Sequence, residues 1–206
     1  MRINTQGWVE VAGGVKGGAA SDQHQRFTCH QPSSHYDQRP PGVNVDLLVV
    51  HNISLPPGEF SGGYVQQLFA GTLDLTVHPW FENLKGVRVS AHFLIERGGR
   101  ITQFVSCYDR AWHAGVSTYD NRAQCNDFSI GIELEGTDDI PYTDQQYAVL
   151  ALLTKALRHA FPLKAVRGHC HIAPERKTDP GASFDWSRYA REAEWPTQTL
   201  PQDFAQ

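Results

Sequence analysis

The chain has 206 residues, 40% of them hydrophobic, which fits one globular domain with a single core. Its 18 basic and 22 acidic residues give a formal net charge of -4 with no Lys/Arg-rich run to follow a phosphate backbone, so nucleic acid is not an expected partner. No apolar run approaches the ~20 residues that span a bilayer, and Met1 to Trp8 lacks the pattern of a secretory signal, so a cytoplasmic monomer with no membrane partner is expected. Cys29, Cys107, Cys125 and Cys170 are widely spaced with no C-x-x-C pair, which predicts free thiols and argues against a zinc ribbon.

Residues 1–44 are rich in Gly, Pro, Ser, Gln and Asn and read as an N-terminal arm carrying a mobile Gly/Ala-rich insertion near residues 12–25. Val45 to Asn52 is a short, β-branched apolar run that ends in polar residues and Pro56-Pro57-Gly58, the pattern of a strand buried on both faces. His51 therefore stands where a central strand ends. Tyr64 to Phe69 predicts a short helix before Gly71, and Val87–Glu96 and Arg100–Val105 predict a hairpin across Arg97-Gly98-Gly99. Ala111 to Gly115 reads as a loop; its Trp112-His113 pair, taken alone, is a packing feature.

Asn126 to Gly136 alternates, with Phe128, Ile130, Ile132 and Leu134 on one face and Ser129, Gly131, Glu133 and Glu135 on the other. The two carboxylates are either solvated or, if that face lines a cleft, general acid/base candidates. Thr143 to Gln146 is a capping-box pattern opening an amphipathic helix that runs to Pro162, and Phe184 to Arg191 predicts a final helix before a polar tail at 193–206.

Between those helices lies Gly168-His169-Cys170-His171, followed by Lys177-Thr178-Asp179-Pro180-Gly181, which concentrates imidazoles, a lysine and a carboxylate beside helix-breaking residues. Catalytic zinc commonly takes three protein ligands of His, Asp, Glu or Cys type and keeps an open position. His51, His169 and Asp179 would supply such a set. If His169 and His171 lie on an extended segment they point the same way, which makes His171 an alternative third ligand to Asp179.

These blocks, with Arg88 to His92 and Arg110 to Gly115, resemble the zinc amidase family that includes phage lysozyme-amidases and peptidoglycan recognition proteins. Within it, they are most similar to the cytoplasmic anhydro-muropeptide amidases of Gram-negative bacteria. The resemblance runs from about residue 35 to 190. It implies an α/β fold, a single domain at 45–192 with a central mixed β-sheet covered by helices and a zinc site in a cleft at strand ends.

It further implies that His51, His169 and Asp179 bind zinc and that Glu133 and Lys177 form the catalytic pair. The expected reaction is hydrolysis of the amide joining the lactyl group of (1,6-anhydro)-N-acetylmuramic acid to L-alanine of the stem peptide. A substrate with peptide carboxylates and a sugar calls for cations and an aromatic wall, for which Arg88, Trp112 and Arg122 are the candidates, with Asn52 as a hydrogen-bonding amide. His171 departs from the family pattern, which usually has Asp there. Two other readings compete: a muropeptide-binding module without catalysis, and a lytic amidase acting on polymeric peptidoglycan.

Overall fold

Leu47, Leu48, Val49 and Val50 are 0% exposed, as a strand covered on both faces requires. The computed structural model describes residues 1–11 and 28–201. In chain order these form β1 (Arg2–Ile3), β2 (Val9–Glu10), β3 (Thr28–His30), β4 (Tyr36–Gln38), β5 (Leu47–Ile53), α1 (Tyr64–Ala70), β6 (Phe93–Ile95) and β7 (Ile101–Gln103). There follow β8 (Asp109–Ala111), β9 (Thr118–Tyr119), β10 (Arg122–Ala123), β11 (Ser129–Glu135), α2 (Asp144–Ala160), β12 (Ala165–Gly168), α3 (His169–Ile172) and α4 (Trp186–Ala193).

The central sheet is six-stranded, in the order β12-β5-β11-β6-β7-β3. β12, β5, β11 and β6 run parallel, and the predicted hairpin turns β7 back antiparallel to β6, so the sheet is mixed. Because β5, β11 and β12 are parallel neighbours, their C-terminal ends open onto one common edge, the usual place for a site in such sheets.

Helices α2 and α4 cover one face, where Leu150, Leu157 and Tyr189 pack with Leu48, Val50, Ile130 and Ile132. The start of α2 follows the capping-box prediction: Thr143 Oγ1 accepts the Gln146 N–H, and the Gln146 side chain accepts the Thr143 N–H, an arrangement worth about 1 kcal/mol. On the other face Leu47 and Val49 meet Ala114, Phe128 and Ile172, while Phe69 of α1 joins Leu94 and Phe104.

Every residue of β11 is buried. Its polar face is therefore turned into the protein. Glu135 there accepts the backbone N–H groups of Ser61 at 2.6 Å and Arg97 at 3.0 Å.

Described residues on both sides of 45–192 pack against the sheet and core. β1 pairs with β2, and the Val9 N–H donates to Gln103 Oε1 at 2.7 Å. β3 forms the outer strand of the central sheet, and β4 pairs with β8. Trp195 and Leu200 pack into the main core. The Gly/Ala-rich insertion expected near residues 12–25 lies outside the described residues, as do the last five of the tail. Among the described residues no cysteine is in a disulfide and no helix is long and apolar enough to cross a membrane.

Candidate metal centre

The sheet register brings the site together. Glu133 on β11 is the direct neighbour of His51 on β5, and Gly168 at the end of β12 neighbours Val50, so His169 emerges beside His51. The segment after α3 returns to the same place, with the Cys170 N–H donating to the Asp179 carbonyl at 2.9 Å. His51 Nδ1 lies 3.0 Å from His169 Nδ1 and 3.0 Å from Asp179 Oδ2, and His169 Nδ1 lies 3.1 Å from that same oxygen.

Hydrogen bonding on the far sides decides what these atoms present to one another. His169 Nε2 is 3.0 Å from the Ala114 carbonyl, which can only accept, so the neutral ring carries its proton there and turns a lone pair at Nδ1 toward Asp179. His51 Nε2 is 2.9 Å from His113 Nδ1. With a proton on His51 Nε2, two imidazole lone pairs and a carboxylate oxygen converge on one point, a repulsive arrangement that a cation relieves. Ligand bonds of ~2.0–2.1 Å in tetrahedral geometry separate ligand atoms by ~3.3 Å, close to the spacing found here. The donor set thus fits a divalent metal.

Burial pushes the His51 imidazole down to about 4, against the pull of Asp179, which keeps it in the neutral, ligating form. At Asp179 burial acts upward; in the metal-free chain a proton held at the facing nitrogen of His169 or His51 outweighs it and holds the carboxyl below the usual carboxylate range, and a metal takes the place of that proton. Burial also sets His113 and His92 well below the ordinary imidazole value.

Glu133 is 8% exposed, and its Oε2 has no hydrogen-bond partner among the described residues. Burial first, and Asp179 second, raise its carboxyl well above the usual value, with Lys177 acting in the opposite sense. A bound dication would also act against that rise. The carboxyl faces a cavity of about 230 Å³ that His51, Asn52, Trp112, Lys177 and Asp179 also line. Asn52, Lys177 and Asp179 connect it to a more open trough of about 520 Å³.

A family model described as N-acetylmuramoyl-L-alanine amidase matches residues 38–182. The chain belongs to the N-acetylmuramoyl-L-alanine amidase family. The amidase is 61% identical over 160 residues to the 1,6-anhydro-N-acetylmuramyl-L-alanine amidase AmpD of Citrobacter freundii, covering 77% of this chain and 86% of that one. A crystal structure of a selenomethionyl AmpD derivative superposes with a TM-score of 0.82 at 51% identity, over 93% of this chain and 99% of its own. The Escherichia coli amidase AmiD, in complex with anhydro-N-acetylmuramic acid-L-Ala-D-gamma-Glu-L-Lys, superposes with a TM-score of 0.53 at 26% identity, over 75% of this chain and 60% of that one.

The remaining sequence-predicted residues divide. Trp112 of the amidase forms a cavity wall, backed by His35 stacked at 6.0 Å and by the exposed Arg88, whose guanidinium lies 5.6 Å from the ring centroid. Asn52 lines the cavity and donates to Asp138 Oδ1 at 2.8 Å. Arg122 is not brought to the cleft. Its guanidinium pairs with both oxygens of Asp46, at 3.0 and 3.2 Å, and lies over Phe128. Asp46 precedes β5 while His51 sits five residues on, and at ~3.3 Å per residue that places Arg122 at the opposite end of the strand.

His171 is likewise not brought to the His51–His169–Asp179 cluster. Its segment is the helical turn α3, not an extended strand, so a residue two places from His169 projects from another side. His171 Nδ1 accepts the Gly168 N–H at 2.8 Å, and its ring meets Trp186 edge-on at 5.6 Å. His113 goes the other way: read from sequence as packing, it contacts His51 of the cluster. The available signal was Gly131, since a lone glycine inside a strand marks a close approach of another group.

Proposed function

We propose that this amidase is a zinc enzyme that hydrolyses the amide between the lactyl group of (1,6-anhydro)-N-acetylmuramic acid and L-alanine of the stem peptide. Its place is the recycling of cell-wall muropeptides in the cytoplasm. The observation that carries the reading is the register pair His51–Glu133, which sets an unpartnered, buried carboxyl oxygen beside a convergent His-His-Asp donor set.

When bound by His51, His169 and Asp179, zinc supplies Lewis acidity, polarising an amide carbonyl and lowering the pKa of water to ~7. Glu133 takes a proton from the attacking water at Oε2, the atom that no donor among the described residues occupies, and returns it to the leaving amine. Lys177, on the same cavity, places a fixed cation where negative charge grows on the carbonyl oxygen, a contribution of ~3 kcal/mol in comparable sites. Trp112 offers a flat wall for the sugar, Arg88 a cation for a peptide carboxylate, and Asn52 an amide for the peptide backbone.

Metal analysis with an activity assay tests this. The purified protein should contain about one zinc per chain, lose muropeptide hydrolysis on chelation and regain it with zinc. A metal-free protein that binds muropeptide and leaves it intact would instead make it a recognition module.

A further inference from the structure

We propose that His113 is the positioning residue that fixes His51 as an Nδ1 ligand, by accepting a hydrogen bond from His51 Nε2–H while Ser129 holds its opposite nitrogen. The inference rests on the reading of His51 as a metal ligand.

A neutral imidazole has one donor and one acceptor, and both of those on His113 are engaged. Nδ1 lies 2.9 Å from His51 Nε2, and Nε2 lies 3.2 Å from Ser129 Oγ. With His51 Nδ1 given to the metal, the His51 proton stands on Nε2 and is accepted at His113 Nδ1, which leaves the His113 proton on Nε2 to donate to Ser129 Oγ, a hydroxyl able to accept it. The neighbouring His92 ring does not compete, because its Nδ1 accepts the Gly131 N–H at 3.0 Å.

The loop that carries His113 is itself held for the task. Asn126 Oδ1 accepts the backbone N–H of His113 at 3.1 Å and of Ala114 at 2.8 Å. Ala114 then offers its carbonyl to His169 Nε2 at 3.0 Å. One dipeptide, anchored by one asparagine, therefore sets the tautomer of both metal histidines: His51 through a side chain and His169 through the backbone. The polar face of β11 serves the same end, with Ser129 holding the ring, Gly131 leaving space for it and Glu133 reaching the cavity. Outer partners of ligating histidines typically change metal affinity by 10- to 100-fold.

The test combines zinc affinity, measured by competition with a chromophoric chelator, and nitrogen-15 NMR of the histidine rings. In the zinc-loaded protein His51 and His113 should both be protonated at Nε2. His113→Leu should weaken zinc binding by about 10- to 100-fold, and Ser129→Ala by less. His113→Asn, which restores an acceptor near the lost Nδ1, should recover most of the affinity. A folded His113→Leu protein that binds zinc as the unmodified chain does would overturn the proposal. So would a proton on His51 Nδ1, which settles the matter even if the variant does not fold. A chain that takes up no zinc at all defeats the ligand assignment itself, an outcome distinct from equal affinity in variant and parent.

Discussion

Replacing Gly131 by alanine would strike the support of the metal centre without touching a ligand. A Cβ built at that position stands 2.4 Å from Cγ, 2.6 Å from Nδ1 and 2.7 Å from Cδ2 of His113. Carbon atoms pack at ~3.5 Å, so strand and ring must separate by about 1 Å. The strand is held on both sides, through its pairing with β5 and through the His92 N–H donating to the Gly131 carbonyl at 3.1 Å, so the imidazole must move. Overpacking of this kind costs about 1–3 kcal/mol. At ~2–4 °C per kcal/mol for a domain of this size, a cost of about 2 kcal/mol lowers the melting temperature by about 4–8 °C. Displacing the ring also loosens its bond to His51, and zinc affinity should fall about tenfold. Calorimetry of the metal-free protein and a chelator competition measure the two effects, with Gly98→Ala as the control, because its Cβ would meet nothing within 4 Å. A Gly131→Ala protein that matched that control in both measurements would refute the close-packing argument.

Glu133→Gln should lower turnover by about 10²- to 10⁴-fold with zinc retained, and Lys177→Ala by about 10²-fold. Because burial raises the Glu133 carboxyl above its value in the unfolded chain, its stabilising effect is present at low pH and lost as pH rises. Metal-free Glu133→Gln should therefore melt higher than the parent at neutral pH, and a lower melting point would contradict the direction of the shift. Arg122→Ala should leave KM within about twofold while costing about 1 kcal/mol through Asp46 and Phe128, and a large rise in KM would return Arg122 to the cleft. His51 stands at about 4 in the folded chain against 6.5 in the unfolded one, so the stability it contributes is complete above about 6.5 and lost as pH falls toward 4. The loss for His51 alone is about 3 kcal/mol, and His92 and His113 add to it. Denaturant titrations of the metal-free protein should show the midpoint falling across that range, and a flat profile would contradict burial of neutral rings.

Local patterns carried much of this structure in the linear sequence. The continuous apolar run of β5, the alternation of β11 and the Thr143–Gln146 capping box each encode their element in adjacent residues. What depends on strand order was not legible. Alternation showed that Ser129, Gly131, Glu133 and Glu135 share a face, but only the insertion of β11 between β5 and β6 buries that face and aligns Glu133 with His51. Arg122 looked like a free cation because its partner Asp46 is 76 residues away in the chain. The alternative of His171 as third ligand hung on conformation, since an extended segment and a single helical turn send alternate residues in different directions. His113 read as packing because a histidine beside a tryptophan is ordinary packing until its contact with His51 is on the page.

The central claim is that a zinc centre here cuts the lactyl–L-alanine amide of small anhydro-muropeptides. Mass analysis of products tests it most directly, comparing zinc-loaded and chelated protein on an anhydro-muropeptide and on intact sacculi. Zinc-dependent release of the free stem peptide and the free anhydro-sugar from the first substrate, with little release from the second, is the predicted result. Equal cleavage by the chelated protein would contradict the metal centre, and release from sacculi at a comparable rate would contradict the recycling role.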